Sequence, residues 1–171
     1  MSYATIIARQ QEILQGLSLL GTANVTLGDY RVLDQGISAS AILWPGAANY
    51  GEGSWEPGMT FGDPPTAVLQ EVEWTTEVRF FSKFINDSDS LTNFVALRQQ
   101  IVNIIMGSPS LTSTTLSTLT EIKWARLGGT VETPVMYYEV DSTGKPAGPF
   151  WIMEVLSWVV REWVTLTVGQ Y

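Results

Sequence analysis

Glu71, Glu73 and Glu77 fall at odd positions of one strand-like run, so their carboxylates share a face at spacings of about 7 and 14 Å. Carboxylate pairs on one surface are the raw material of glycoside hydrolysis, one serving as acid and the other as nucleophile or base. The same face also carries Arg79 and Lys83, as a solvated or subunit-facing surface does. That structural reading is the one the residues favour. Glu154 and Glu162 share a face of the last strand with Leu156, Trp158 and Val160, where they could pair with arginines across a subunit boundary. The 171 residues include no Cys and no His. This removes thiol nucleophiles, the usual zinc sites, imidazole bases and the Ser-His-Asp arrangement. Asp87-Ser-Asp89 begins like a calcium loop, but Thr92 and Arg98 stand where that loop needs Gly and Glu. Gly51-Glu-Gly53 is too short for a dinucleotide fingerprint, and the remaining aspartates sit in turn contexts that bond their own backbone. The expectation is a protein that is no enzyme and holds no cofactor or metal.

The elements that must position these residues follow from periodicity. Residues 3 to about 19 carry Ile6, Ile7, Ile13, Leu14 and Leu17 at helical spacing, with Gly21 ending the run. Residues 30–44 read as a strand, with Ile37, Ala39, Ala41 and Leu43 on one face and Ser38 and Ser40 on the other. From Val68 to Phe84 the even positions include Val68, Val72, Trp74, Val78, Phe80 and Phe84, against charged or polar odd positions. A period of two over this length predicts a long antiparallel strand, buried on one side and wet on the other. After the cap-rich Asn86–Ser90, a helix over about 91–106 presents Phe94, Leu97, Ile101, Ile104 and Ile105. Residues 108–120 read as a Ser/Thr loop. Three strands close the chain, at 119–127, 135–140 and 150–168, the last two joined by a turn over Asp141–Gly148 as a hairpin. In the first of them Ile122, Trp124 and Arg126 oppose Glu121, Lys123 and Ala125, and Gly128-Gly129 reads as a turn or bulge.

The predicted fold class is therefore α+β: a single, mainly antiparallel (mixed) sheet with two helices on one face, forming one domain over 1–171. One feature stands outside it. Between Trp44 and Thr66, WPGAANYGEGSWEPGMTFGDPPT holds five Gly, four Pro and three carboxylates with no Lys or Arg. A structureless loop of this length in a compact domain is usually functional or disordered. Its aromatics, Trp44, Tyr50, Trp55 and Phe61, favour an inter-subunit arm over a disordered tract. Trp151 and Trp163 fall on one side of the last strand and Trp158 on the other. All three are candidate seam aromatics, with two of them expected in the core and one at an oligomer seam.

Net charge is −8, and nine basic residues occur singly along the chain. Phosphate-tracking surfaces cluster such residues, so tight nucleic-acid binding is not expected. No stretch reaches the roughly 18 apolar residues of a membrane span, and the N-terminus shows no basic region followed by an apolar run. An intracellular, soluble product that does not engage membranes is expected.

The order of elements resembles that of the tail terminator (tail completion) proteins of long-tailed bacteriophages. The resemblance rests on an opening helix, a strand ending Ile42–Gly46 before a glycine-rich loop, and the Trp74–Phe80 strand. That strand feeds an Asp-capped helix, and a terminal hairpin closes the chain; the likeness is one of architecture and pattern over most of its length. It implies a homo-oligomer, a hexameric ring that caps the tail tube, stops its polymerisation and meets the tube protein and the head connector. The protein would then belong to the virion tail and assemble in the host cytoplasm. DNA would pass through the lumen without specific binding, and Glu71, Glu73 and Glu77 are the candidate lumen-facing carboxylates. The alternatives are a tail-tube or head–tail connector subunit and, more distantly, a small carbohydrate-binding module using Tyr50, Trp55 and Phe61 as a sugar platform.

Overall fold

The structure, a computed structural model, describes residues 3–28, 36–49, 60–61, 67–112 and 122–167. Helix α1 spans Tyr3–Gln15 and buries Ile6, Ile7, Gln10, Ile13 and Leu14, one stripe of a 3.6-residue period. It ends earlier than its pattern predicts. Turn bonds from Gly16 N to Ile13 O (3.2 Å) and from Leu17 N to Leu14 O (3.0 Å) follow, and the chain reverses at Gly21, whose φ is 69°. Helix α2 spans Asp87–Met106 and starts inside the stretch expected to be a turn. Asn86 caps it by accepting from Asp89 N at 2.9 Å, and Asp87 and Asp89 sit in a first turn that favours negative charge.

The strands are β1 (Val25–Leu27), β2 (Ala39–Asn49), β3 (Thr60–Phe61), β4 (Ala67–Lys83), β5 (Ile122–Val140) and β6 (Pro146–Thr167). They form one mixed sheet in the order β1-β2-β4-β6-β5, with β3 also paired to β4. Only β1 runs parallel to its neighbour, matching Val25 to Ala41 and Leu27 to Leu43. The backbone of the sheet is the β4–β6 pair, in unbroken antiparallel register from Ala67↔Thr167 to Lys83↔Trp151. The fold is α+β, as the alternation of β4 and the two helical stripes predict.

One face of the sheet and both helices share a hydrophobic cluster. Ile6 and Leu14 of α1 and Phe94, Leu97, Ile101 and Ile105 of α2 join Ala41, Leu43, Val78, Phe80, Leu156, Trp158 and Val160. Phe80 and Phe94 stack with ring centroids 5.5 Å apart. A small second cluster of Ile42, Phe81 and Trp151 lies on the opposite face. It explains why β2 departs from simple alternation: from Ala39 to Leu43 every residue is buried. Ser40, expected on a polar side, is buried and donates its Oγ to Asn24 O at 3.0 Å.

Three further differences bear on function. Strand β2 does not stop at Trp44; it continues to Asn49 through a bulge between Pro45 and Ala48, so the first part of the expected arm is paired backbone. Strands β2 and β3 both lie on the side of β4 that β6 leaves open, with Asn49 opposite Glu73 and Thr60 opposite Val68. The separate strands expected at 119–127 and 135–140 are one strand, β5, kept in contact with β6 by several register shifts. One of these lies between Leu127 and Gly129, and a side chain at Gly128 would meet Val159 Cγ2 at 2.6 Å. The terminal turn is tight, closing over Asp141–Lys145 with Asp141 N donating to Lys145 O at 2.9 Å.

Candidate functional site

The face of the sheet turned away from the helices carries most of the chemistry. Odd positions of β4 and β6 alternate across it in register: Glu71 opposite Trp163, Glu73 opposite Arg161, Glu77 opposite Ser157, Arg79 opposite Val155. The three glutamates stand in a row, as expected, and every one of them meets a cation. Glu71 pairs with Lys123 and, at 3.5 Å, with Arg161 Nη1. Glu73 accepts from Arg161 Nη2 at 2.9 Å, and Glu77 accepts from Arg79 Nη2 at 2.6 Å.

Aromatic rings complete these pairs. The Arg79 guanidinium lies 5.2 Å from the Trp44 ring centre, and the Lys123 ammonium lies 4.9 Å from that of Trp163. Trp124 takes two guanidinium groups, Arg126 at 4.5 Å and Arg161 at 4.8 Å. Cation–π contacts of this kind contribute about 0.5–1 kcal/mol at exposed sites. The whole is a braced ladder of alternating charge and ring.

Strand β5 enters this ladder through a bulge that simple alternation misplaces. Ile122 stands opposite Glu162 and Trp124 opposite Arg161, so Lys123 is the extra residue. Ile122 turns into the helix-side core, while Lys123 and Trp124 both reach the outer face. The expectation that Ile122 and Trp124 share a face, with Lys123 opposite, is thereby corrected. Trp124, Arg126 and Arg161 are the functional candidates that the sequence reading did not single out. No local pattern marks them, because a bulge is set by the partner strand.

The remaining candidates fall as follows. Trp44 lies in β2 at the outer face, in register with Glu77. Phe61 lies in β3, its backbone paired with Ala67, whereas Tyr50 and Trp55 lie outside the described residues. Trp151 and Trp158 are 1% and 0% exposed, so the chain's own core takes both. Trp163 is half-buried at the outer face. On the helix side, Glu154 receives Arg98 of α2, and Glu162 accepts from Trp74 Nε1 at 2.7 Å. Both acids therefore have a partner within one chain.

Arg79, Lys83, Lys123, Arg126 and Arg161, five of the nine basic residues, share the outer face with Glu71, Glu73, Glu77 and Glu132, the last in register with Val155. The three glutamates expected to face a lumen thus stand among cations on this face.

A second feature lies beside α1. An apolar recess of about 400 Å³ lies among Tyr3, Ala4, Ile7, Leu27, Gly28, Leu43 and Pro45. The Tyr3 hydroxyl, the one side-chain polar group among the residues that line it, already donates to Thr75 O and accepts from Gly46 N. Among the described residues no group of three or more acidic residues is placed to hold a metal ion, and no helix is long and apolar enough to cross a membrane. No protein-family model matches the chain, and no curated protein matches it in sequence.

Proposed function

We propose that the chain is a structural virion protein acting as a tail terminator: a ring-forming subunit that caps the tail tube and joins it to the head connector by geometry rather than catalysis. The observation that carries this reading is the bracketing of residues 50–59. Strands β2 and β3 hold both ends of that segment on one flank of the sheet, at Asn49 and Thr60. A segment anchored at both ends and rich in Gly and aromatics is suited to reach a neighbouring subunit. The ion-paired, Trp-bearing outer face supplies a second, chemically different patch, and cyclic rings are built from contacts between unlike patches.

On this reading the assembly is a homohexamer that contacts the tube protein and the head connector, with DNA passing through without specific binding. Light scattering and electron microscopy of the purified protein test it. Isolated single rings are expected. Stacked tubes would instead identify a tail-tube subunit, and a monomer that binds simple sugars would overturn the structural reading in favour of a carbohydrate-binding module.

A further inference from the structure

We propose that the Trp124–Arg126–Arg161 end of the outer face receives the acidic segment between Asn49 and Thr60 of a second copy of this chain. The inference rests on the ring reading and specifies which surfaces meet in it.

The first argument is charge. In a chain of net charge −8, this end gathers Lys123, Arg126 and Arg161. Lys123 and Arg161 are committed to Glu71 and Glu73, whereas exposed Arg126 rests on Trp124 and meets no carboxylate among the described residues. The segment 50–59, YGEGSWEPGM, carries Glu52 and Glu56 and no Lys or Arg, with Tyr50 and Trp55 beside them. Arg and Trp together are the commonest anchors of protein interfaces, and Arg pairs with carboxylates bidentately.

The second argument is position. Asn49 is in register with Glu73, Glu73 with Arg161, and Arg161 with Trp124. The point where the segment leaves the sheet and the point where the cations gather thus lie at one height, on opposite flanks. Three strand spacings, about 14 Å, separate them. Strand β1 covers β2 only at Ala41–Leu43, so among the described residues strand β2 is the edge at the level of Asn49. On the β5 flank Ala125 N is bonded to Pro109 O at 2.7 Å, so the segment of the second copy meets the cations on the outer face beside that edge rather than by pairing with the β5 backbone. The two patches are unlike and lie on opposite flanks, as the contacts of a cyclic ring require.

Charge reversal tests this. The wild type, Arg126→Glu, the pair Glu52→Lys/Glu56→Lys, and a chain bearing all three changes are sized by light scattering across a concentration series. Circular dichroism of each confirms the fold. Both reversals are expected to raise the concentration for half-assembly by about tenfold or more, as loss of a close charge pair does. The combined chain is expected to recover most of that loss. If the wild type assembles and Arg126→Glu assembles equally well, this docking is wrong while the ring reading stands. If Arg126→Glu disassembles but the combined chain does not recover, the acidic segment is not the occupant and the proposal fails. A wild type that remains monomeric throughout removes the ring reading itself.

Discussion

Arg98 of α2 holds Glu154 of β6 through its Nε, which lies 3.1 Å from one carboxylate oxygen and 2.9 Å from the other. Glu154 is 1% exposed, and Arg98 is 42% exposed at its side chain. The helix thus supplies, from the solvent side, the cation that a buried carboxylate on the sheet requires. Replacing Arg98 with Met is expected to cost about 2–3 kcal/mol, less than a fully buried pair because water screens the arginine. Glu154→Gln, which removes the buried charge along with its pairing, is expected to cost less than Arg98→Met. Urea denaturation of the two variants measures both, and an Arg98→Met variant as stable as the wild type would show that the pair is dispensable.

Tyr3 fastens the start of α1 to the sheet. Its hydroxyl donates to Thr75 O and accepts from Gly46 N at 3.2 Å, and its ring stacks on Trp74 at 4.7 Å. Tyr3→Phe keeps the stack and orphans both backbone partners. The expected loss is about 1–2 kcal/mol, with the Gly46 amide, the one N–H that Tyr3 holds, exchanging faster in hydrogen-exchange measurements. Unchanged exchange at Gly46 would contradict the assignment.

Asp141 organises the terminal turn by accepting from Thr143 Oγ1 (2.6 Å), Thr143 N (2.8 Å) and Lys145 N (3.0 Å). The Thr143 side chain first, then the backbone amides of Lys145 and Thr143, hold its carboxyl below the usual value. A depressed carboxylate stabilises the fold above the ordinary carboxylate range, about pH 3.9. That contribution is lost as pH falls through the lowered value. NMR titration of Asp141 is expected to show a midpoint below that of a model peptide. Asp141→Ala is expected to loosen the turn at neutral pH and to abolish the pH dependence of its amide shifts.

Removing residues 50–59 and joining Asn49 to Thr60 through about four extended residues, the length of β4 between Glu73 and Val68, leaves every described strand pair of β2, β3 and β4 intact. The melting temperature is expected to stay within a few degrees of the wild type, while assembly is lost. A wider deletion reaching Ala48 or Phe61 would cut paired backbone, opposite Trp74 and Ala67 respectively. An unfolded 50–59 deletion would place the segment in the core of the fold.

Local signals made much of this molecule legible. The alternation from Val72 to Phe80 specified a strand with one buried face, because side chains of a strand point to opposite sides in a period of two. The Asn86 cap and the Phe94, Leu97, Ile101 and Ile105 stripe specified α2. What failed was whatever depended on a distant partner. Val25–Leu27 is too short to read as a strand alone and exists only because Ala41–Leu43 lies beside it. Pro45 looked like the end of β2, yet the strand crosses it through a bulge, a position where proline is tolerated.

The sequence by itself determined the α+β class, the two helical stripes, the long amphipathic β4 and the closing hairpin, since each is written in the period of consecutive residues. Only the tertiary structure decided that nine basic residues met singly along the chain would place five on one face of the sheet. It also decided that Glu71, Glu73 and Glu77 would each meet a cation, and that Trp124 would carry two guanidinium groups. The reason is register: pairing Glu73 with Arg161 joins residues 88 apart in sequence, and no local pattern encodes that distance.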